Sequence, residues 1–246
     1  MLTRYRLLLR PEPGRPVPPE AAYRLYAALL AAVPEFGAAA HRNVPTPVSQ
    51  FLSPEPDGSL RWTVNLLGAE SETLLSPVLD SRGDYWLVRD GTRLQVLERR
   101  KQSVPDAQTL LTLGAGSAGV HRLRFCTPTA FKSRGQYQSL PTTRLMVHSL
   151  LKKWNGCLDC PIEDEDGQGA EMLAAGLAIS RFCLESRGYP LKRTVIPGFV
   201  GELTLENHLD GFPRQLADAL IAFSAYAGVG IKTALGMGGV EETTLK

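Results

Sequence analysis

Apolar residues in the first hundred positions recur with two different periods, one typical of strands and the other typical of helices. At residues 60–67 apolar and polar side chains alternate, which is the pattern of a half-buried strand. Over residues 18–33 apolar side chains recur every three to four positions, and Pro18 and Pro19 suit a first helical turn. Pro77 is expected to end the next helix, because an internal proline removes a hydrogen bond. The predicted order is strand, helix, strand, strand, helix, strand, at 2–9, 18–33, 46–53, 60–67, 69–75 and 92–99.

The second half of the chain repeats this order. Alternation at 120–126 predicts a strand with Leu123 and Phe125 inward, and Thr142 or Thr143 can cap the helix that follows. Pro213 suits the start of the last helix. The predicted elements are a strand at 120–126, a helix at 142–154, strands at 172–184 and 194–206, a helix at 213–227 and a strand at 236–244.

Two consecutive units of this order predict an α+β protein with two tandem ferredoxin-like domains. Each domain would carry two helices on one face of its sheet and leave the other face free. The boundaries are a first domain at 1–104, a linker at 105–119 and a second domain at 120–246, since the linker contains Pro105 and several glycines and lacks clear periodicity.

Charge is unevenly distributed, although the net charge is only +2. No acidic residue occurs between Asp106 and Asp159, while that stretch contains Arg122, Arg124, Lys132, Arg134, Arg144, Lys152 and Lys153. Such a stretch favours an anionic partner over a small-molecule substrate, with ordinary surface charge as the alternative.

The cysteines and the apolar runs exclude other classes of protein. The pair Cys157 and Cys160 has metal-ligand spacing, but Cys126 and Cys183 sit singly in strand-like runs, so we expect thiols and no metal site. No apolar run is long enough to span a membrane, and the first residues lack the apolar core of a signal peptide. We therefore expect a cytoplasmic protein without a membrane partner.

A glycine-rich loop lies between the last helix and the last strand, and its pattern is Gly-x-Gly, five residues, Gly-x-Gly. Glycines permit positive φ and close approach of the backbone, and Lys232 and Thr233 between them suit a phosphate. A tight crossing from helix to strand is the alternative interpretation. The four glycines are Gly228, Gly230, Gly236 and Gly238.

This loop resembles that of the CRISPR repeat-cleaving endoribonucleases of the RAMP superfamily. Residues 125–131 (FCTPTAF) and 196–202 (IPGFVGE) are also similar, and the resemblance covers nearly the whole chain. It implies tandem ferredoxin-like (RRM-like) domains and cleavage of CRISPR repeat RNA in a precursor transcript, without metal or another cofactor. The alternative function is a non-cleaving RNA-binding subunit of a CRISPR effector. Other effector subunits as partners and a homodimer stay open.

Metal-free cleavage uses the 2′-hydroxyl of the RNA, which attacks the adjacent phosphorus and leaves a 2′,3′-cyclic phosphate and a 5′-hydroxyl. Histidine fits the proton transfers, because its pKa of about 6.5 allows either role near neutrality. His121, His148 and His208 lie in a strand, a helix and a turn, and we expect them to be structural or merely exposed. His41 lies in a loop and matches the family position, so it is the predicted catalytic residue.

The resemblance also implies Tyr26 as a catalytic partner, although Tyr26 falls on an apolar helix stripe and could belong to the core. The family often has a lysine beside the second strand, where this chain has Thr46 and Pro47, so Arg42, Lys232 or another cation would supply the charge. The predicted RNA-binding residues are basic or lie in the glycine-rich loop: Arg42, Lys132, Arg134, Arg144, Lys192, Arg193, Gly228, Gly230, Lys232, Thr233, Gly236 and Gly238.

Overall fold

The first half of the chain forms a five-stranded antiparallel sheet in the order β2-β3-β1-β5-β4. The computed structural model describes residues 1–37, 45–87 and 91–245. The predicted catalytic His41 and the predicted RNA-binding Arg42 lie outside these described residues. The strands are β1 (Leu2–Pro11), β2 (Val48–Pro54), β3 (Leu60–Leu67), β4 (Asp84–Leu87) and β5 (Thr92–Val104).

Helices α1 (Ala22–Ala32) and α2 (Ala69–Ser81) cover one face of this sheet, and a short 3₁₀ turn (Pro19–Ala21) precedes α1. The prediction that Pro77 ends the second helix is wrong, because α2 continues past it to Ser81. Leu75 and Leu79 on either side of Pro77 are both fully buried. Their packing against the sheet offsets the backbone hydrogen bond that the proline removes.

The second half forms a four-stranded antiparallel sheet in the order β13-β6-β12-β9. Its strands are β6 (Val120–Thr129), β9 (Leu177–Ser186), β12 (Phe199–Asn207) and β13 (Val240–Leu245). Two small hairpins extend from it, β7 (Phe131–Ser133) with β8 (Gln136–Gln138) and β10 (Tyr189–Leu191) with β11 (Thr194–Ile196). Its helices are α4 (Thr143–Cys157), α5 (Gln168–Ala175) and α6 (Gly211–Ala227).

The two sheets share one topology. In each half the first and third of four main strands lie at the centre, with the fourth beside the first and the second beside the third. This is the strand order of a ferredoxin-like unit. The predicted α+β fold of two tandem ferredoxin-like units is therefore confirmed, with β4 as an added edge strand in the first half.

The connection predicted at 105–119 contains helix α3 (Ala107–Ala115), which Asp106 caps by accepting a hydrogen bond from the Thr109 amide at 2.8 Å. Several predicted strand boundaries are wrong. The strand predicted from 172 begins only at Leu177, because α5 occupies the preceding residues. The strand predicted at 194–206 is split between β11 and β12 around Pro197 and Gly198. The last strand begins at Val240 and not at 236.

The second face of the first sheet is not free, which corrects the expectation drawn from topology alone. Arg4 on β1 is buried on this face, where it donates to the Asn65 side chain at 2.8 Å and to the Ala225 carbonyl of α6. Ser49 of β2 donates to the Tyr226 carbonyl. Leu2 belongs to the apolar core of the second half, so the two halves are packed together through this face.

Candidate functional site

A cleft of about 920 Å³ lies where the two halves meet. The first half contributes Tyr26 and Leu30 of α1 together with Pro45 and Thr46, which precede β2. The second half contributes the β7–β8 hairpin, one side of α4 and the glycine-rich loop. A site assembled from positions so far apart in the chain depends on the packing of the two halves.

Lysines dominate the polar lining of the cleft. Five of them line it, and His148 of α4 lies beside them. Among the described residues that line the cleft, none is an aspartate or a glutamate. Cations along a concave apolar wall focus positive potential and attract an anionic ligand. The five are Lys132, Lys152, Lys153, Lys192 and Lys232.

Lys153 differs from the other lysines because its side chain is buried. Its ammonium donates to the Ala227 carbonyl at the end of α6 and to the Thr233 hydroxyl in the glycine-rich loop. Burial lowers the pKa of Lys153 to about 7. The neighbouring Cys157 thiol has its pKa raised to about 11, also by burial. Lys153 thus ties the glycine-rich loop to α4 from beneath.

The glycines of the loop are required by close backbone packing. Gly230 has φ of +82°, and a Cβ there would lie 2.2 Å from the Ala130 carbonyl oxygen. A Cβ at Gly238 would lie 2.1 Å from the Val229 carbonyl oxygen. The Gly230 amide donates to Ser149 Oγ at 2.9 Å, and the Gly238 amide donates to the Pro128 carbonyl at 3.1 Å. These contacts support the alternative interpretation of the loop as a tight crossing from helix to strand.

The loop still presents one cation to the cleft, since Lys232 is exposed while Thr233 is buried. In the described part of the chain, the non-glycine residues with positive φ are Arg134 (49°), Lys192 (56°) and Lys232 (56°). Left-handed backbone disfavours such residues and persists where the surrounding structure enforces it, as at ligand-binding sites. Each of the three is a cation that the sequence predicted to bind RNA.

The other predicted RNA-binding residues lie at different distances from the cleft. Lys132 and Lys192 line it. Arg193 lines a second pocket beside it. Arg144, near the start of α4, forms an ion pair with Glu171 at 2.6 Å and is not among the cleft-lining residues. Their contacts with RNA stay a prediction.

Tyr26 lies in the wall of the cleft and also in the core of the first half. Its hydroxyl is buried and has no hydrogen-bond partner among the described residues. Burial raises the pKa of Tyr26 to about 12. The phenol therefore stays protonated near neutrality, so it can donate a hydrogen bond but is poorly suited to act as a base.

The three other histidines occupy structural or exposed positions. His121 is buried, and its ring bonds to Asp218 at 2.8 Å and to Glu242 at 3.0 Å. Burial opposes its charge, but these hydrogen bonds outweigh it and raise the pKa of His121 to about 9. His148 is exposed and bonds to Glu171, and His208 is exposed. These positions agree with the expectation that the three histidines are structural or merely exposed.

Within the described ranges, no three His, Cys, Asp or Glu side chains are grouped so that they could hold a metal ion. No helix in those ranges is long and apolar enough to cross a membrane.

Two lysines of the cleft, Lys152 and Lys153, were not among the predicted site residues. The sequence signal existed, because both lie in the acid-free basic stretch and end a helix with an apolar stripe. The spacing could not show that Lys152 is exposed on the cleft while Lys153 is buried beneath it.

Two packed ferredoxin-like units, a lysine-lined cleft and a glycine-rich loop agree with the resemblance to the RAMP superfamily. The sequence model of the family "CRISPR-associated endoribonuclease Cas6" matches residues 123–240. A Cas6 endoribonuclease of Mycobacterium tuberculosis is 29% identical over 221 residues, which cover 88% of this chain and 69% of that protein. One of Streptococcus thermophilus is 34% identical over 117 residues, 48% of each chain. The chain is therefore similar to Cas6 endoribonucleases, and these named relatives support an RNA-cleaving enzyme.

The same likeness extends to the fold. A solved structure described as a Cas6 product complex superposes with a TM-score of 0.81 at 21% sequence identity, covering 99% of both chains. At this identity the superposition supports the tandem fold alone.

Proposed function

We propose that this protein cleaves CRISPR repeat RNA within a precursor transcript and so releases guide RNAs. The observation that carries the proposal is the lysine-lined cleft between the two halves, which Tyr26 and the Pro45–Thr46 segment border. The cleft offers RNA phosphates several cations from the second half, while the first half supplies the groups for proton transfer.

The lysines favour a mechanism without a metal ion. Ammonium groups bind phosphates directly and supply the positive charge that a pentacoordinate phosphorus needs. The same positive potential opposes the entry of a divalent cation, which oxygen ligands would have to hold. We infer that the 2′-hydroxyl of the RNA attacks the adjacent phosphorus in line, that a 2′,3′-cyclic phosphate forms, and that the 5′-oxygen leaves with a proton.

His41 is the group that we assign to proton transfer. In the sequence His41 precedes Pro45, which lines the cleft, by four residues. An imidazole can accept the 2′-hydroxyl proton or donate one to the leaving oxygen near neutral pH. Tyr26, which stays protonated, would donate a hydrogen bond to the reacting phosphate.

The alternative function, a non-cleaving RNA-binding subunit, gains no support from the relatives, which are named endoribonucleases. Other effector subunits and a second copy of the chain stay candidate partners. No contact in the described part of the chain favours one of them.

The proposal is tested with purified protein and end-labelled repeat RNA in excess EDTA. We expect cleavage at one position and a product that ends in a 2′,3′-cyclic phosphate. A matched RNA with a single 2′-deoxy residue at the cut should bind equally well but stay whole. Cleavage that needs added magnesium, or that proceeds on the deoxy RNA, would contradict the mechanism. Tight binding of both RNAs without any cleavage would favour the alternative function.

A further inference from the structure

A second pocket, of about 580 Å³, adjoins the cleft on the outer side of α1. One wall is the outer face of α1, which contributes the methyl groups of Ala27, Ala28 and Ala31 together with Tyr23 and Arg24. The opposite walls are Trp86 of β4 and the turn of the β10–β11 hairpin, which carries Lys192 and Arg193. Lys192 lines both pockets, so the second pocket continues the cleft past this hairpin.

Trp86 is unusual among the tryptophans of the protein. Its side chain is 47% exposed, whereas Trp62 and Trp154 are 0% and 1% exposed. Trp86 lies between Tyr85 and Leu87, which are buried in the core of the first half and fix the strand on both sides of it. β4 is the strand added to the ferredoxin-like set, so this added element holds an exposed indole in a fixed place.

The chemistry of the pocket suits an unpaired nucleotide. An exposed indole offers a flat face for a nucleobase, and stacking of this kind is how proteins bind unpaired RNA bases. The alanine side chains leave room beside the ring. The exposed Lys192 and Arg193 can bind the phosphates on either side of the base, and no described residue that lines the pocket is acidic. Lys192 also has the left-handed backbone noted above.

We propose that this pocket is a nucleotide subsite, in which an unpaired base of the repeat that flanks the cleavage site stacks on Trp86 while Lys192 and Arg193 bind its phosphates. The inference rests on the proposed function and deepens it, because the subsite would fix the length of RNA that the protein holds beyond the cleft. An acidic peptide could also occupy a cationic aromatic pocket. Continuity with the cleft through Lys192 favours RNA.

The experiment titrates the uncleavable 2′-deoxy repeat RNA into the protein and follows tryptophan fluorescence. Since Trp62 and Trp154 are buried, we expect RNA to quench the emission of Trp86. Trp86→Ala should abolish the quenching and raise the Kd by about 5- to 100-fold, the range for losing one base stack. Trp86→Phe, which keeps an aromatic face, should retain most of the affinity. The matched control is Phe182→Ala, which removes an aromatic side chain that is 72% exposed on β9 and should leave the Kd unchanged.

The RNA provides a second arm. Abasic substitutions along the repeat should reveal one base whose removal weakens binding to the wild type. Removal of that base should not weaken binding to Trp86→Ala, because the abasic RNA and the protein variant each lose the same stacking contact. An unchanged Kd for Trp86→Ala, or quenching by an acidic aromatic peptide and none by RNA, would overturn the subsite. Cleavage of the ordinary repeat by the same samples separates the two proposals. If the wild type and Trp86→Ala both cut the RNA and bind it with the same Kd, the subsite is wrong and the proposed function stands. A wild type that never cuts the RNA contradicts the proposed function.

Discussion

The two halves of this protein share one strand order but use their surfaces differently. The first sheet buries its second face against α6, where Arg4 and Ser49 donate to backbone carbonyls of that helix. The second sheet leaves its second face open, and Arg122, Arg124 and Glu202 on it are exposed. The two units therefore share a strand order and differ in what covers their sheets.

The same division extends to the cleft. The first half provides Tyr26, Leu30, Pro45 and Thr46, whereas all five lysines of the cleft come from the second half. Under the proposed function, His41 in the first half transfers the proton and the lysines of the second half supply most of the RNA affinity. Variants in either half should therefore separate the cleavage rate from binding.

The largest expected effect is that of His41→Ala in the first half. Loss of one acid–base group should lower the single-turnover cleavage rate by about 10²–10⁴-fold, while the Kd for repeat RNA changes little. Rapid-quench assays and filter binding on the same samples measure both quantities. His208→Ala, which removes an exposed histidine from a turn, is the matched control and should cleave at the normal rate. Normal cleavage by His41→Ala would place the proton transfer elsewhere.

A smaller effect, on RNA affinity more than on the cleavage rate, is expected for Lys132→Ala combined with Lys232→Ala in the second half. Both lysines line the cleft, so the affinity for RNA should fall by about tenfold at 0.1 M salt. The slope of log Kd against log salt should become shallower by about 1–2 units. The single-turnover rate at saturating protein should change less than the Kd.

The control pair for this test is Arg122→Ala with Arg181→Ala, which removes the same charge from the open face of the second sheet. Equal losses of affinity for the two pairs would mean that RNA responds to net charge and not to the cleft. The assignment of affinity to the cleft lysines would then be wrong.

Tyr26→Phe should have a still smaller effect, and it distinguishes a core tyrosine from a catalytic one. Loss of one hydrogen bond to the reacting phosphate would lower the cleavage rate by about 2- to 10-fold. Thermal stability should be unchanged or slightly higher, because the buried hydroxyl has no partner among the described residues. An unaltered rate would assign Tyr26 to the core alone.

The smallest net effect concerns pH, because two buried groups of the second half act in opposite directions. The folded-state pKa of Lys153 lies near 7, below its ordinary 10.5, so the unfolded chain holds an extra proton in this range and stability rises with pH. The folded-state pKa of His121 lies near 9, above 6.5. Its contribution is complete below pH 6.5 and is lost as the pH rises through 9.

In the wild type, Lys153 and His121 change the unfolding free energy in opposite directions between about pH 7 and 9. Lys153→Met should therefore show the contribution of His121 alone. We expect the unfolding free energy of this variant, measured by urea denaturation, to decline as the pH rises through this range. Lys152→Met, which changes the exposed neighbour, should keep the wild-type profile. Identical profiles for all three proteins would show that Lys153 titrates as an exposed lysine does.

Much of the fold could be predicted from the period of apolar residues. The strand at 60–67 was predicted with the bounds that the structure has. The helix predicted at 213–227 ends where predicted and begins two residues earlier, at Gly211. The failures occurred where packing overrides local signals. Pro77 lies inside a helix held by Leu75 and Leu79, and α3 formed in a stretch that lacked clear periodicity.

The candidate site was predicted in part. Lys132, Lys192 and Lys232 were singled out by composition and by loop position, and the structure places all three around one cleft. Trp86 gave no signal, because a single aromatic residue in a short strand is indistinguishable from a core residue until its exposure is known. The glycine-rich loop was found by its spacing, but the spacing could not show that its amides bond to the protein itself.

The sequence by itself determined the order of the elements, the acid-free basic stretch and the residue types that can move a proton or bind a phosphate. These properties follow from local periodicity and side-chain chemistry, so a single chain reveals them. The tertiary structure alone decided that Tyr26, Lys132 and Lys232 line one cleft, that Lys153 is buried beneath it, and that Trp86 lies across the hairpin from it. The physical reason is that these contacts join residues more than two hundred positions apart, and only the packing of one half against the other brings them together.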